Sequence, residues 1–166
     1  SVTAPPNTGD AGSITFAGEL YNANAQTYAA GASGSLMAAA GAPTSFLSSN
    51  DAIAVNGTLS LALGADLSVQ PGTGTITLAT GIVAQSASDI ALMGAVSLTD
   101  DVLIDGGAQG DVLIAGDVTG AGRDFTVLGR TIATAGLNLR GATNGDGGDL
   151  TLTASGAVPT GDVTVT

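Results

Sequence analysis

From Thr58 onward, apolar and polar positions alternate almost without a break, in runs such as TLSLALG, DLSVQ, TITLAT, DIALMG, AVSLT, DVLIDG, DVLIAG, DFTVLG, TIATAG, LNLRG, DLTLTASG and DVTVT. A period of two puts successive side chains on opposite faces of a strand, so each run predicts a short β-strand with one apolar face. The joints are one to a few residues, mostly Gly, Asp, Asn or Ala, with almost no Asn-Gly turns and no window of helical period. Many short strands joined by corners fit a coiling chain better than an antiparallel meander.

The runs also repeat. Aligned on an Asp followed by apolar-x-apolar, they give Asp66, Asp89, Asp111 and Asp149, with Thr131 filling the remaining step, at a spacing of roughly 20 residues that shortens along the chain. A second series through Ile76, Val96, Val118, Leu137 and Val158 keeps the same mean spacing. Two interleaved series of one period mean that a unit of roughly 20 residues holds two or three strands. The expected fold is all-β: a right-handed parallel β-helix of about eight coils, stacked about 4.8 Å apart into a rod on the order of 40 Å long. Three stretches are expected, with 1–12 an extended lead-in and candidate connecting strand, 13–57 irregular first coils, and 58–166 the regular solenoid. In the irregular part an Ala run before Gly41 leaves room for one helical turn, which Gly41 and Pro43 would stop.

Composition limits what can fill such coils. The chain is 44% apolar but only 3% aromatic, lacks Trp and Cys, and has 26 Gly among 166 residues, which suits a thin core of repeated aliphatic side chains. Abundant Val, Ile, Leu and Thr with few charges argue against disorder. Fourteen acidic residues, 13 of them Asp, face three Arg and no Lys or His, for a net charge of −11. Nucleic acid is therefore not an expected partner, because phosphate contacts need basic groups. The sign fits cations or solubility. Without Cys or Lys no disulfide and no Lys-Asn isopeptide bond can form, so stability must come from packing, the backbone ladder or bound ions. No run approaches the roughly 18 apolar residues of a membrane span. Ser1 reads equally as a mature N-terminus after signal-peptide removal and as a cut in a longer chain.

The segments GSITFAGELYNANAQTYAAG, GTLSLALGADLSVQPGTGTITLATG and GGDLTLTASGAV resemble the β-strand repeats of filamentous haemagglutinin-like bacterial surface proteins. The resemblance implies a right-handed β-helix, export, and a role in adhesion, aggregation or matrix building. The family's N-terminal secretion domain, with its Asn-Pro-Asn motifs, has no counterpart in the sequence, which implies an internal segment or a compact relative exported another way.

Each polar cluster has a chemical reading and a structural one. Asp111 and Asp117 sit close enough to raise a carboxylate pair for glycoside hydrolysis, but sugar-binding sites also need basic and aromatic groups, and His, Lys and Trp are absent. The expectation is no enzyme and no catalytic residue, with Asp marking corners by bonding its own nearby backbone or adopting left-handed geometry. NGDGGD, running into LTLT, is partly like the glycine-rich calcium repeat of β-rolls, and Asn144, Asp146 and Asp149 are its candidate ligands. Calcium is the only cofactor in view; otherwise none is expected. Asp100, Asp101 and Asp105 form another acidic corner. Threonines in TITLAT, TLT and TVT alternate outward, an array that can bind ice or simply follow β-propensity. Arg123, Arg130 and Arg140 are expected to pair with Asp on neighbouring coils, adding little stability. Asn56 carries the only N-glycosylation sequon.

The final GDVTVT reads as an open strand with no cap, so the expectation is that the chain continues or that another copy stacks there. The candidate assembly residues are Val163 and Val165 at one end and Val2, Ile14 and Phe16 at the other. A head-to-tail contact that does not close makes a filament. The expected function is a secreted, extracellular or cell-surface structural unit of a bacterial filament, biofilm matrix or surface layer, with itself as partner. The alternative is an adhesin stalk or binding module using a lateral face, with surface glycans as partners; a calcium-stabilised surface layer and ice binding stand behind these.

Overall fold

The computed structural model describes residues 2–3, 12–30, 34–41, 43–141, 147–156 and 163–165. Its first two coils contain strands β1 (Val2–Thr3), β2 (Ile14–Phe16), β3 (Leu20–Asn22), β4 (Gln26–Ala29), β5 (Leu36–Ala38) and β6 (Thr44–Leu47). The middle coils contain β7 (Ile53–Asn56), β8 (Leu59–Leu61), β9 (Leu67–Gln70), β10 (Thr75–Leu78), β11 (Gly81–Ala84), β12 (Ile90–Leu92), β13 (Ala95–Leu98), β14 (Val102–Asp105) and β15 (Val112–Ile114). The last coils contain β16 (Val118–Thr119), β17 (Phe125–Gly129), β18 (Ile132–Thr134), β19 (Leu137–Asn138), β20 (Leu150–Ala154) and β21 (Val163–Val165). Among the described residues there is no helix; the Ala-rich segment that left room for a helical turn is strand β5 through Ala38.

Every third strand belongs to the same sheet. Sheet A runs β1-β4-β7-β10-β13-β16-β19, sheet B β2-β5-β8-β11-β14-β17-β20, and sheet C from β3 through β6, β9, β12, β15 and β18 to β21. All neighbours are parallel, and each strand pairs with the one a full coil away. This is a three-sided parallel β-solenoid.

The coils are fewer and longer than the expected eight of roughly 20 residues. Each sheet has seven strands among the described residues, hence six coil-to-coil steps, and those from Ile14 to Leu152 along sheet B average about 23 residues each. Corner length is the physical reason. Two residues, Arg130 and Thr131, turn the chain from β17 to β18, whereas six, Gly106 to Asp111, turn it from β14 to β15.

Inside, equivalent positions stack in columns. Leu36, Leu59, Ile82, Ile104 and Val127 form one, in register along sheet B and fully buried. The second sequence series, Ile76, Val96, Val118 and Leu137, is likewise a column of sheet A, joined below by Ile53; Val158 lies outside the described residues. Like side chains stacked at coil spacing bury each other's methyl groups, so small aliphatics suffice for a dry core. The strands Gly81–Ala84 and Val118–Thr119 lack a clear alternating run; register with their neighbours places them.

Four of the five aromatic rings gather in the first two coils. Phe16, Tyr28 and Phe46 lie within 4.7 to 4.9 Å of one another between centroids, and Tyr21 lies 5.2 Å from Phe16. Buried Gln26 sits in the column of Ile53, with its amide satisfied: Nε2 donates to the carbonyls of Leu47 (2.6 Å) and Ala23 (3.2 Å), and Oε1 accepts from the Tyr28 hydroxyl (2.7 Å). Burial, with a smaller contribution from Tyr21, pushes the Tyr28 phenol up to about 12.

Candidate functional site: corner ladders and end coils

The aspartates stand at corners, as their sequence positions predict, but they bond differently from expectation. At the corner from sheet B to sheet C, Oδ1 of Asp66 accepts the backbone N–H of Asp89 (2.9 Å), and Oδ1 of Asp89 accepts that of Asp111 (2.9 Å). Asp111 continues the column by accepting from the Thr131 hydroxyl (2.7 Å) and from Nε of Arg130 (2.9 Å), with a second guanidinium bond from Nη2 to Oδ2. Each carboxylate thus reaches the next coil, in contrast to the local turn expected for Asp. Local bonds occur at Asp105, which accepts from Gly107 N–H, and at Asp100, which accepts from Asp101 N–H. Among described non-glycine residues only Ala121 has positive φ, so none of the described Asp uses left-handed geometry.

Asp149 belongs to a different column from the one its sequence motif suggests. It lies at the corner from sheet A to sheet B, where Asp101 accepts from Asp124 N–H (3.0 Å) and Asp124 from Asp149 N–H (2.8 Å). Asp117 marks the third corner, accepting from Gly136 N–H (3.2 Å). Asp111 and Asp117 therefore occupy successive corners of the coil.

The Arg130 guanidinium, ahead of the Thr131 hydroxyl, holds the Asp111 carboxyl below the usual carboxylate range. Arg123 pairs with Asp100 on the preceding coil at 3.3 Å. Arg140 is exposed, with its N–H on Asn138 Oδ1. Of the calcium candidates, Asn144 and Asp146 lie outside the described residues; Asp149 is exposed. Among the described residues no three acidic groups converge as a metal site would require. The exposed threonines do not form one uniform rank: the outward column of sheet A reads Thr27, Ala54, Thr77, Ser97, Thr119, Asn138. Asn56 is exposed at the end of β7, and Thr58 bonds to the Thr80 hydroxyl (3.3 Å).

The candidate assembly residues fall on the outermost strands. Val2 is in β1 and Ile14 and Phe16 in β2, the first strands of sheets A and B; Val163 and Val165 are in β21, the last of sheet C. Phe16 is buried within the aromatic cluster, while Ile14 is half-buried. Ile14, Phe16, Tyr21 and Tyr28 line an apolar recess of about 360 Å³ at this end. At the other end, Leu150 stacks on Phe125 and through it on Val102. Those two are 0% and 3% exposed, yet Leu150, with the same inward phase, is 45% exposed. The Asp149 carboxylate, next to it, has no hydrogen-bond partner among the described residues.

The sequence does not mark Leu150 and Asp149 as end residues, because their runs look like any other; only strand order shows that they lie outermost. Among the described residues no helix is long and apolar enough to cross a membrane. Compared with known proteins, the chain matches no protein-family profile, no curated protein and no solved structure.

Proposed function

We propose that this chain is a structural unit of an extracellular bacterial filament, matrix or surface layer, secreted or held at the cell surface, which builds by end-to-end stacking of its solenoid and performs no catalysis. The observation that carries the reading is the interrupted core column: an inward leucine, Leu150, is 45% exposed on an outermost strand, whereas its equivalents one and two coils inward are sealed. Burying such a side chain contributes on the order of 1.5–3 kcal/mol, so a further coil is the natural cover. The likeness of the strand runs to filamentous haemagglutinin-like repeats supports the same setting. Calcium enters this reading only as a stabiliser, and nucleic acid has no part in it, given the net charge of −11.

A second reading, an adhesin stalk whose flank binds a surface or glycan, is favoured by Leu63, Met93 and Leu113. They belong to middle coils and are 67%, 45% and 40% exposed. Sedimentation velocity of the purified chain over a range of concentrations separates the two. Growth into long species with rising concentration supports stacking, whereas a short monomeric rod at the highest concentration removes it and leaves the stalk.

A further inference from the structure

Resting on the stacking reading, the register of the sheets points to one specific contact: β20 of one copy pairs in parallel with β2 of the next, Leu152 opposite Ile14 and Thr153 opposite Thr15. Columns of equivalent positions run unbroken through the sheet. Along sheet B, Ile14 aligns with Leu36, then Leu59, Ile82, Ile104, Val127 and Leu152. The outward neighbours align as Thr15, Met37, Ser60, Val83, Asp105, Leu128 and Thr153. A coil added to β20 without changing phase therefore presents an Ile14-like position over Leu152. Ile14 and Leu152 are the two members of the column left partly buried, so each completes the other.

The other two sheets agree with this register. Sheet C carries Tyr21, Phe46, Val69, Leu92, Ile114, Thr134 and Val165 at one position, which sets Val165 opposite Tyr21 of the next copy. In sheet A the same register sets Val2 of the next copy opposite Leu139, the residue that follows β19. All three sheets continue at once only if the second copy adds no rotation and no slip, and a one-residue slip would turn every inward side chain outward. A second copy is the occupant because its first coil carries the phase that the last coil requires. Side-by-side packing would instead oppose two surfaces of a chain with net charge −11.

The absence of Cys makes a cross-linking test clean. Thr15 and Thr153 are exposed, so Thr15→Cys and Thr153→Cys leave the core intact. Within one chain they are six coil steps apart, about 29 Å, too far to bridge. Across the proposed contact their Cα atoms are about 4.8 Å apart, inside disulfide range. The off-register pair Thr15→Cys with Thr151→Cys would be about 8 Å apart, outside it. After mild oxidation of assembled protein, the first double variant should give a non-reducing ladder of dimers, trimers and longer chains. The second double variant and each single variant should remain monomeric. Wild-type fibres accompanied by cross-linking in the off-register pair, or in neither pair, overturn the register and leave stacking in place. Wild-type protein that never assembles overturns both.

Discussion

At Asp111 one side chain joins three parts of the molecule: its carboxylate takes two bonds from Arg130 and one from Thr131, both on the following coil, while its own N–H is held by Asp89 on the preceding one. Its folded pKa lies below the ordinary value. The resulting stability is present above the unfolded pKa, near 3.9, and is lost as pH falls through the lower folded value. Asp111 and Arg130 are both more than a third exposed, so solvent screening keeps the contribution of the pair small. Asp111→Asn should lower stability slightly but measurably at pH 7, and by less once acid has protonated the wild-type carboxylate. Urea denaturation at the two pH values measures the difference, and an equal loss at both would contradict the ion-pair account. Ser88 makes the opposite case. Its hydroxyl is buried without a hydrogen-bond partner among the described residues, so Ser88→Ala should be neutral or stabilise by up to about 1 kcal/mol in the same titration. Periodicity made the corner positions of these aspartates legible, since an Asp recurs at coil spacing before the runs that open at Leu67, Ile90 and Val112. It could not reveal the acceptor geometry, because spacing says where a residue recurs and not which coil supplies the amide. Gln26 was illegible for the same reason: only its partners explain a buried amide in an aliphatic column.

At the scale of the coil, the alternating runs translate directly into strands, and the Ile76 to Leu137 series into a sheet A column. Phase is what the sequence leaves ambiguous. Its pattern groups Asp149 with Asp66, Asp89 and Asp111, whereas Asp149 stacks 25 residues after Asp124, at a different corner. Corners of unequal length blur the period enough for one column to be read as another, and the same blurring inflates the coil count to eight. Register gives a direct test of coil modularity. Because Ile82 aligns with Ile104, removing residues 82–103 deletes one complete coil and restores every column. In a solenoid stabilised by nearest-neighbour interfaces, that variant should fold cooperatively with reduced stability. Removing only residues 82–92, about half a coil, should prevent folding. Thermal unfolding followed by circular dichroism distinguishes the two, and equal damage from both deletions would contradict coil modularity. A single truncation, Ile82→Ala, should cost about 2–5 kcal/mol, because the site lies between sealed neighbours on both sides.

For the whole molecule, the three-sided solenoid presents two unlike ends: an aromatic-lined recess at the first coils, and half-covered aliphatics with an exposed carboxylate at the last. The solenoid was legible from the repeat. The proposed match of its two ends was not, because it depends on which strands are outermost. Seven coils at about 4.8 Å would make each stacked copy advance about 34 Å along a fibre. The most direct measurement is diffraction from aligned fibres of the purified chain. The account predicts a meridional reflection near 4.8 Å from the coils together with an axial repeat of about 34 Å from the copies. Protein that stays as single short rods at high concentration, or fibres whose axial repeat does not correspond to one seven-coil copy, would contradict it.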